Sequence, residues 1–408
     1  MGQIGLEFRA IELRSRSFVH PYLKIYRPAS APSGERGLLC AWLRGEPVCW
    51  PSSNDAVAER FLFESRYHGV TALLYQQIHL AADKILCPSQ VRAELQCATA
   101  RATAQELIRR RALEEVLASL ARRDAVPLLL KGTPLAYTLY PAPSLRSRGD
   151  TDLLIQKEDF HAADEVFARL GYERANTVTG ELVSSQRSYC KNDDYGVSHS
   201  FDLHWRISNS YVFGETFGFD ELWSSSIVIP ALGAHARGLG AAHALLLACM
   251  HRLTHRQAPY YVDGVAYYDS DRLIWLYDIH LLARAMTAGQ WERVIEFAAE
   301  KGLQEICLDG LQAAATSLGA SVPAEVEQRL SLRGNRRIKA VASFNVSAWR
   351  WELAGIWAAR SWRAGLKLLT EHLFPAGSYM SSKYRITNRK FLPCYYFRRA
   401  AEGIWKRL

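Results

Sequence analysis

The 408-residue sequence predicts an α+β protein in which a small β-sheet lies between N-terminal helices and a large C-terminal helical region. Three observations predict this class. Apolar residues recur at helical spacing from residue 55 to 123, and short apolar runs of strand length follow between 124 and 225. Beyond residue 241 the pattern is helical almost to the end, with helices expected at 241–256, 271–286, 291–301, 304–318, 323–331 and 336–370. The content of 49% hydrophobic and 22% charged residues excludes a disordered chain.

These patterns divide the chain into four predicted parts. Residues 1–54 form an irregular N-terminal segment, because turn-forming residues cluster at 28–37 and 45–54. Residues 55–123 are helical, and Ser89 is the expected N-cap of a long helix with an arginine-rich face, interpreted as solvated. An α/β core follows at 124–235. Residues 236–408 are the C-terminal helical region.

The α/β core contains four predicted strands. The apolar run Val126–Leu130 predicts a buried strand that turns at Lys131-Gly132 into a short helix, Thr133–Tyr140. Asp150–Ile155 predicts a second strand, followed by the helix Glu158–Leu170. The remaining strands are expected at Val183–Tyr189 and Ser200–Ile207, joined by a turn at 190–196.

Two candidate classes are excluded by composition. The eight cysteines show no CxxC spacing, which argues against a zinc site and against a secreted disulfide framework. The longest strongly apolar stretch, Ala241–Met250, is about half of what spans a bilayer. We therefore expect a cytoplasmic protein with reduced thiols and no membrane-spanning segment.

The C-terminal region carries the basic charge of the chain. From Ser331 to Leu408 there are 16 Lys and Arg residues against 3 Asp and Glu residues, interleaved with tryptophans. One interpretation is a helix that docks on the body of the protein, with arginine stems lying along apolar surface. Contact of residues 336–408 with another protein, or peripherally with the inner face of the membrane, is a second interpretation. Binding of RNA through stacking and phosphate contacts is a third.

The sequence Arg148-Gly149-Asp150-Thr151-Asp152 contains the main candidate site. Residues two apart on a strand point to the same face, so Asp150 and Asp152 would hold two carboxylates side by side. Such a pair repels unless a cation lies between the two groups, and oxygen ligands favour Mg²⁺ or Mn²⁺. The pattern alone is weak, because solvated acids at a strand edge produce it equally.

Two neighbouring patterns strengthen this interpretation. At the first strand–helix junction, Gly132 would let backbone amides approach a phosphate, while Lys131 and Thr133 could contact it through their side chains. The alternative interpretation of residues 131–133 is a plain connection between a strand and a helix.

Asp202 lies in the last predicted strand, where burial of an unpaired carboxylate would cost free energy. It is a candidate third metal ligand or general base, or alternatively the partner of a buried arginine.

Further candidates surround these residues. Arg146 and Arg148 flank the second strand and would contact a triphosphate or form structural ion pairs. His204 shares the face of Asp202 and is a candidate for the acceptor side of the site. His251 and His255 share a helix face, and they would contact acceptor or nucleotide, or simply pack, because no HExxH zinc pattern is present.

An ordered set of motifs resembles a bacterial family of uncharacterised nucleotidyltransferases of the DNA polymerase beta-like superfamily. The motifs are Lys131-Gly132, Tyr140-Pro141, Arg146–Ile155, Asp202–Trp205, Trp275–Ile279, Phe374-Pro375, Tyr379-Met380 and Tyr384. The resemblance covers about residues 55 to 408. It departs from the superfamily pattern at Gly132-Thr133, where a glycine pair or Gly-Ser is usual, and at Thr151, where an aliphatic residue is usual.

The resemblance implies a palm-like mixed sheet and a Mg²⁺- or Mn²⁺-dependent nucleotidyltransferase. Asp150 and Asp152 would bind metal, Asp202 would be the third carboxylate, and the Gly132 turn would contact the triphosphate. The expected reaction moves a nucleoside monophosphate from a nucleoside triphosphate such as ATP to a hydroxyl acceptor, which would be a sugar, a small metabolite, a peptide or a protein. The alternative is a catalytically silent protein of this fold that binds a partner.

Overall fold

A computed structural model describes residues 34–51, 55–81, 86–175, 184–209, 213–257, 260–262, 265–267, 271–332, 362–386 and 388–405. It confirms the predicted fold class. A seven-stranded mixed sheet carries helices on both of its faces, and a large helical region follows it.

Four helices precede the sheet: α1 (Glu35–Leu43), α2 (Asp55–Tyr67), α3 (Thr71–Leu80) and α4 (Ser89–Ala121). The helix α1 contradicts the prediction that residues 1–54 are irregular throughout, while 1–33 and 52–54 lie outside the described residues. This nine-residue helix is stabilised by packing rather than by a strong local pattern, since Leu39, Trp42 and Leu43 are buried. Pro88, not Ser89, holds the N-cap position of α4.

The sheet comprises seven strands: β1 (Leu128–Leu130), β2 (Thr151–Leu154), β3 (Glu173–Arg174), β4 (Gln186–Asn192), β5 (Ser198–His204), β6 (Ile227–Val228) and β7 (Arg237–Gly238). Their order across the sheet is β3-β4-β5-β2-β1-β7-β6. The pairs β2–β5 and β1–β7 are parallel, and the other neighbours are antiparallel. Helices α5 (Gly132–Thr138), α6 (Phe160–Arg169) and α7 (Phe219–Ser224) lie between these strands in the chain.

The predicted strands correspond to β1, β2, β4 and β5. The largest difference is in β4, which continues to Asn192 into the predicted turn, because Cys190, Lys191 and Asn192 still pair with β5. The short strands β3, β6 and β7 were not predicted. Each is two residues long, which is too short to produce an alternating pattern.

The two faces of the sheet bury two different clusters. Leu153 and Leu203 point to one face and pack with Phe167 of α6 and the C-terminal half of α4. On the other face, Leu154 packs into a larger cluster with the C-terminal helices. Because side chains alternate along a strand, Asp152 and Asp202 share this second face.

The C-terminal helical region begins with α8 (Ala241–Gln257), a two-stranded hairpin of β8 (Tyr260–Val262) and β9 (Val265–Tyr267), and α9 (Leu273–Ala285). The helices α10 (Ala288–Lys301), α11 (Gln304–Leu318) and α12 (Ala324–Ser331) follow. Thr287 and Gln290 form a capping box, which starts α10 three residues earlier than its apolar pattern indicates.

The last described helices are α13 (Trp362–Leu373), α14 (Gly377–Tyr384) and α15 (Leu392–Trp405). Of the helix expected at 336–370, only residues from 362 onward are described, and 333–361 lie outside the described residues. No helix in the described ranges is both long and apolar enough to cross a membrane.

Candidate active site

The site begins with the register of two neighbouring strands. In the parallel pair β2–β5, Asp152 lies directly opposite Asp202, and Leu154 lies opposite His204. Matched positions on neighbouring strands point to the same face, so the two carboxylates stand side by side although 50 positions separate them in the chain. Asp150 lies just before β2, two residues ahead of Asp152.

Asp152 is buried, and two neighbouring groups stabilise its negative charge. Lys131 Nζ lies 2.5 Å from its Oδ1, and His204 Nε2 lies 2.9 Å from the same oxygen. Burial alone would raise the pKa of Asp152, but the Lys131 ammonium and the His204 hydrogen bond hold that pKa well below its usual range. Asp152 is therefore ionised at neutral pH.

His204 lies behind Asp152 rather than on the open side of the site. Its ring is 1% exposed, and its Nδ1 has no hydrogen-bond partner among the described residues. The sequence suggested His204 as an acceptor-side residue. In the structure its Nε2 contacts Asp152 Oδ1, and the acceptor-side role stays a prediction.

Asp150 and Asp202 retain more access to solvent. Asp202 is half-buried, and its Oδ2 accepts a hydrogen bond of 2.9 Å from Gln186 Nε2. Asp150 is exposed, and it lines a cleft in the protein surface. Loss of hydration there, and next the charge of Asp152, raise the pKa of Asp150 to about 6.

The turn after β1 holds Lys131 in an unusual backbone conformation. Lys131 has φ 57° and ψ −129°, a region that residues with a Cβ rarely adopt. It is the N-cap of α5, so Gly132 and Thr133 form the first turn of that helix. The Lys131 ammonium is drawn to Asp152 and then Asp150, and these carboxylates raise its pKa even though burial opposes them.

Gly132 is required by a close neighbour. A Cβ built on Gly132 would lie 2.7 Å from Cζ of Arg146, so only glycine leaves room for that guanidinium. Thr133 is 2% exposed, so its hydroxyl is not presented on the surface. The glycine thus serves a packing role that the sequence interpretation, based on phosphate approach, did not include.

Arg146 and Arg148 form ion pairs. Arg146 is buried and donates from Nε and Nη2 to both oxygens of Asp278 on α9, at 2.9 and 2.6 Å. Tyr140 Oη donates to the same carboxylate at 2.7 Å. Arg148 pairs with Glu106 of α4 at 2.7 Å. Each arginine thus forms one of the ion pairs that the sequence left open, and contact with a triphosphate stays a prediction.

His251 and His255 lie together on α8, with ring centroids 4.3 Å apart. Both rings contact Trp275 of α9, at centroid distances of 5.4 and 5.3 Å. Burial, and next the charge of Lys131, lower the pKa of His255 to about 4, so its ring is neutral. Neutral histidines against an indole give the site a flat aromatic side.

One cleft of about 280 Å³ brings these groups together. The sequence-predicted site residues that line it are Lys131, Gly132, Thr133, Arg146, Arg148, Asp150, Asp152, Asp202, His251 and His255. The sequence analysis missed Gln186, Asn209 and Arg272. Gln186 orients Asp202 and faces His204 across the β4–β5 pair, a relation that only the strand register reveals.

The cluster can accommodate a divalent cation. Ligand atoms of Asp152, Asp202 and His204 all lie within 4.8 Å of one another, so the three could contact one ion. Asp150 is not in that group, although it lines the same cleft. The two carboxylates supply oxygen ligands of the kind that divalent cations accept. His204 Nε2 already contacts Asp152 Oδ1, and its Nδ1 is buried with no hydrogen-bond partner among the described residues.

Carboxylates at matched positions of neighbouring parallel strands, beside a glycine-containing helix N-terminus, place the protein in a class of α+β proteins whose site could hold a cation next to a phosphate. Within that class, the chain belongs to the family described as uncharacterised nucleotidyltransferase, whose sequence model matches residues 54–319. No curated protein matches the sequence.

Proposed function

We propose that the protein is a divalent-metal-dependent nucleotidyltransferase that transfers a nucleoside monophosphate from a nucleoside triphosphate to a hydroxyl acceptor and releases pyrophosphate. The observation that carries the proposal is the register that places Asp152 opposite Asp202, with Asp150 in the same cleft. The family match supports it. We also propose that the family belongs to the DNA polymerase beta-like superfamily, that Mg²⁺ is the ion, and that ATP is among the donors.

Each polar residue of the cleft has a role in this proposal. Asp150, Asp152 and Asp202 would hold the cation, which when bound stabilises negative charge that develops on the attacking and leaving oxygens. Asp202 is less buried than Asp152 and is also placed to accept a proton from the acceptor hydroxyl. Lys131 neutralises Asp152 and, as the N-cap residue of α5, would meet phosphates that bind at the N-terminus of that helix.

The in-line reaction breaks the bond between the α-phosphorus and its bridging oxygen to the β-phosphate. The acceptor oxygen forms the new bond to phosphorus, its proton passes to a carboxylate or water, and pyrophosphate leaves with the bond electrons. The acceptor class proposed is a sugar, a small metabolite, a peptide or a protein side chain.

Thermal unfolding with ATP, GTP, CTP and UTP, each with and without Mg²⁺, tests this proposal. We expect one nucleotide to raise the melting temperature only with Mg²⁺, and the Asp150→Ala/Asp152→Ala variant to lose that increase. Asp194→Ala, an exposed residue in the β4–β5 turn, is the matched control and should respond like the wild type. Folded wild-type protein that responds to none of the four would contradict the proposal.

One observation favours a second candidate, a silent protein of this fold that binds a partner. The ion pair between Lys131 and Asp152 neutralises a buried carboxylate without any metal ion. This candidate predicts that Asp152→Ala leaves the biological activity of the protein intact. The enzyme proposal predicts that the same substitution abolishes it, so a complementation assay separates the two.

A further inference from the structure

A second cavity, of about 260 Å³, adjoins the candidate active-site cleft. Residues of α2, α3 and α4 form one side of it, and the segment 144–148 forms the other. Arg146, Ser147 and Arg148 line both this cavity and the cleft. The segment 146–148 is thus a wall common to two recesses, and only one of them contains the carboxylates.

The second cavity has an excess of positive charge. Four arginines line it, Arg66, Arg109, Arg146 and Arg148, against Glu106 as the one carboxylate among its lining residues. Arg146 is committed to Asp278 and Arg148 to Glu106. Glu106 also accepts a 2.5 Å hydrogen bond from Tyr137, so it has little capacity for another cation.

Two of these arginines have no acidic partner among the residues that the structure describes. Within the part of the chain that the structure describes, neither Arg66 nor Arg109 forms an ion pair, and Arg148 Nε is buried with no acceptor. Arg109 Nη1 donates to the backbone carbonyl of Arg148 at 2.9 Å, and the positive charge of Arg148 acts on the Arg109 guanidinium. The interpretation of this face of α4 as simply solvated therefore does not describe Arg109, which is half-buried.

Arg109 is the cation under electrostatic strain, whereas Arg66 is exposed. Burial, and next the positive charge of Arg148, lower the pKa of Arg109. Like charges in a partly dehydrated space repel more than they do in water, and a bound anion would relieve that repulsion. The guanidinium groups present planar pairs of N–H donors, which match carboxylate and phosphate oxygens, and Ser144, Thr71 and Gln105 add neutral polar groups.

We propose that this cavity binds a carboxylate or phosphate group of the acceptor, so that the transfer reaction acts on an acidic molecule. The inference rests on the proposed function and adds the chemical class of its second substrate. The shared wall lets one molecule place an anionic group among Arg66, Arg109 and Arg148 while its hydroxyl reaches into the carboxylate cleft. The donor triphosphate has its own candidate contacts at Lys131 and the first turn of α5.

Calorimetric titration with inorganic phosphate and with succinate, in EDTA so that no divalent ion takes part, tests the cavity directly. We expect wild-type protein to bind at least one of these anions, and Arg109→Gln to weaken that binding about tenfold or more, as loss of a charge-assisted hydrogen bond does. Arg110→Gln is the control, because Arg110 is exposed and already pairs with Glu114 at 2.7 Å. Should Arg109→Gln not fold, Arg66→Gln tests the same cavity.

The second arm measures binding of the nucleoside triphosphate with Mg²⁺. Arg109→Gln should bind nucleotide like the wild type, while Asp150→Ala/Asp152→Ala should lose nucleotide but keep phosphate or succinate. Loss of nucleotide binding in Arg109→Gln would show that the cavity serves the donor and would overturn the inference. Absence of any anion binding by folded wild-type protein would also overturn it. A failure of the proposed function differs from both, because anions would bind while no nucleotide does.

Discussion

Gly132 shows how one missing side chain organises the site. The guanidinium of Arg146 lies where its Cβ would be, and Asp278 fixes that guanidinium from the other side. The glycine, the arginine and the aspartate come from three separate parts of the chain. The three residues pack against one another at the N-terminus of α5.

Gly132→Ala should therefore destabilise the protein. The added Cβ needs space that the backbone of α5 and the paired guanidinium can give up only by moving out of their packed positions. We therefore expect a loss of about 1–3 kcal/mol in the free energy of unfolding. Gly149→Ala is the matched control, because a Cβ there has no neighbour within 4 Å. Urea denaturation of both variants measures the difference, and equal stabilities would contradict this account of Gly132.

His255 should make stability depend on pH. Burial and Lys131 lower its pKa to about 4 in the folded protein, against about 6.5 in the unfolded chain. The unfolded chain therefore takes up the proton first as pH falls. The stabilising contribution is complete above pH 6.5 and is lost progressively as pH falls from there towards 4.

Denaturation at pH 7 and pH 5 measures this effect in the wild type and in His255→Gln. The variant should lose about 1–2 kcal/mol less stability between the two pH values. His161→Gln, at an exposed site, should behave like the wild type. Asp150 acts in the opposite direction in part of this range, since its pKa is raised, so the comparison between variants is the test rather than the slope alone. Identical losses in His255→Gln and wild type would refute the prediction.

At the scale of elements, a buried ion pair joins the sheet to the helical region. Arg146 follows the short helical turn after α5, and Asp278 lies on α9. Tyr140 completes the set through its hydroxyl. The aromatic and basic tail expected to follow this region keeps its three interpretations (docking on the body, contact with a membrane surface or protein, and RNA binding) as predictions.

Removing Asp278 should leave a buried, unpaired guanidinium. We expect Asp278→Ala to lower the free energy of unfolding by about 3–5 kcal/mol. The double variant Arg146→Met/Asp278→Leu should recover much of that loss, because it removes both charges and keeps the volume. A double variant no more stable than Asp278→Ala would show that the effect lies in packing rather than in the charge.

Sequence periodicity located the elements that form long or continuous apolar patterns. The strands β1, β2 and β5 and the helix α11 lie within a few residues of their predicted bounds. The two-residue strands and α1 are set by contacts distant in the chain, and no local pattern encodes such contacts. For the same reason the sequence identified Asp152 and Asp202 as candidates but not the strand register that places them opposite each other. It also did not indicate that His204 is buried behind Asp152. Their chemical roles stay predictions.

At the scale of the whole molecule, the N-terminal and C-terminal helices share one hydrophobic cluster. Trp42 of α1 stacks on Phe61 of α2 at 5.1 Å, and this cluster continues to Leu276 of α9 and Leu311 of α11. The helix α1 precedes residue 54, where the family match begins, yet it is part of the common core.

Trp42→Ala should accordingly destabilise the whole body and not α1 alone. We expect a loss of about 3–5 kcal/mol, since a fully buried ring and its hydrogen bond to the Leu74 carbonyl are removed. Trp362→Ala, where the side chain is 75% exposed, is the control. Circular dichroism and tryptophan fluorescence should follow a single shifted transition. Separate transitions would show that α1 unfolds independently.

The wall of residues 146–148 has a consequence for how the two recesses communicate. One of its faces borders the carboxylates and the other borders Arg66 and Arg109, while Asp278 ties it to α9. A ligand that displaces residues 146–148 from within one recess would change the volume of the other recess. Thermodynamic reciprocity then requires that whatever factor an anion imposes on nucleotide affinity, the nucleotide imposes on the anion. The order in which two substrates arrive would leave that factor unchanged, because it is a difference between equilibrium free energies and not a property of the path.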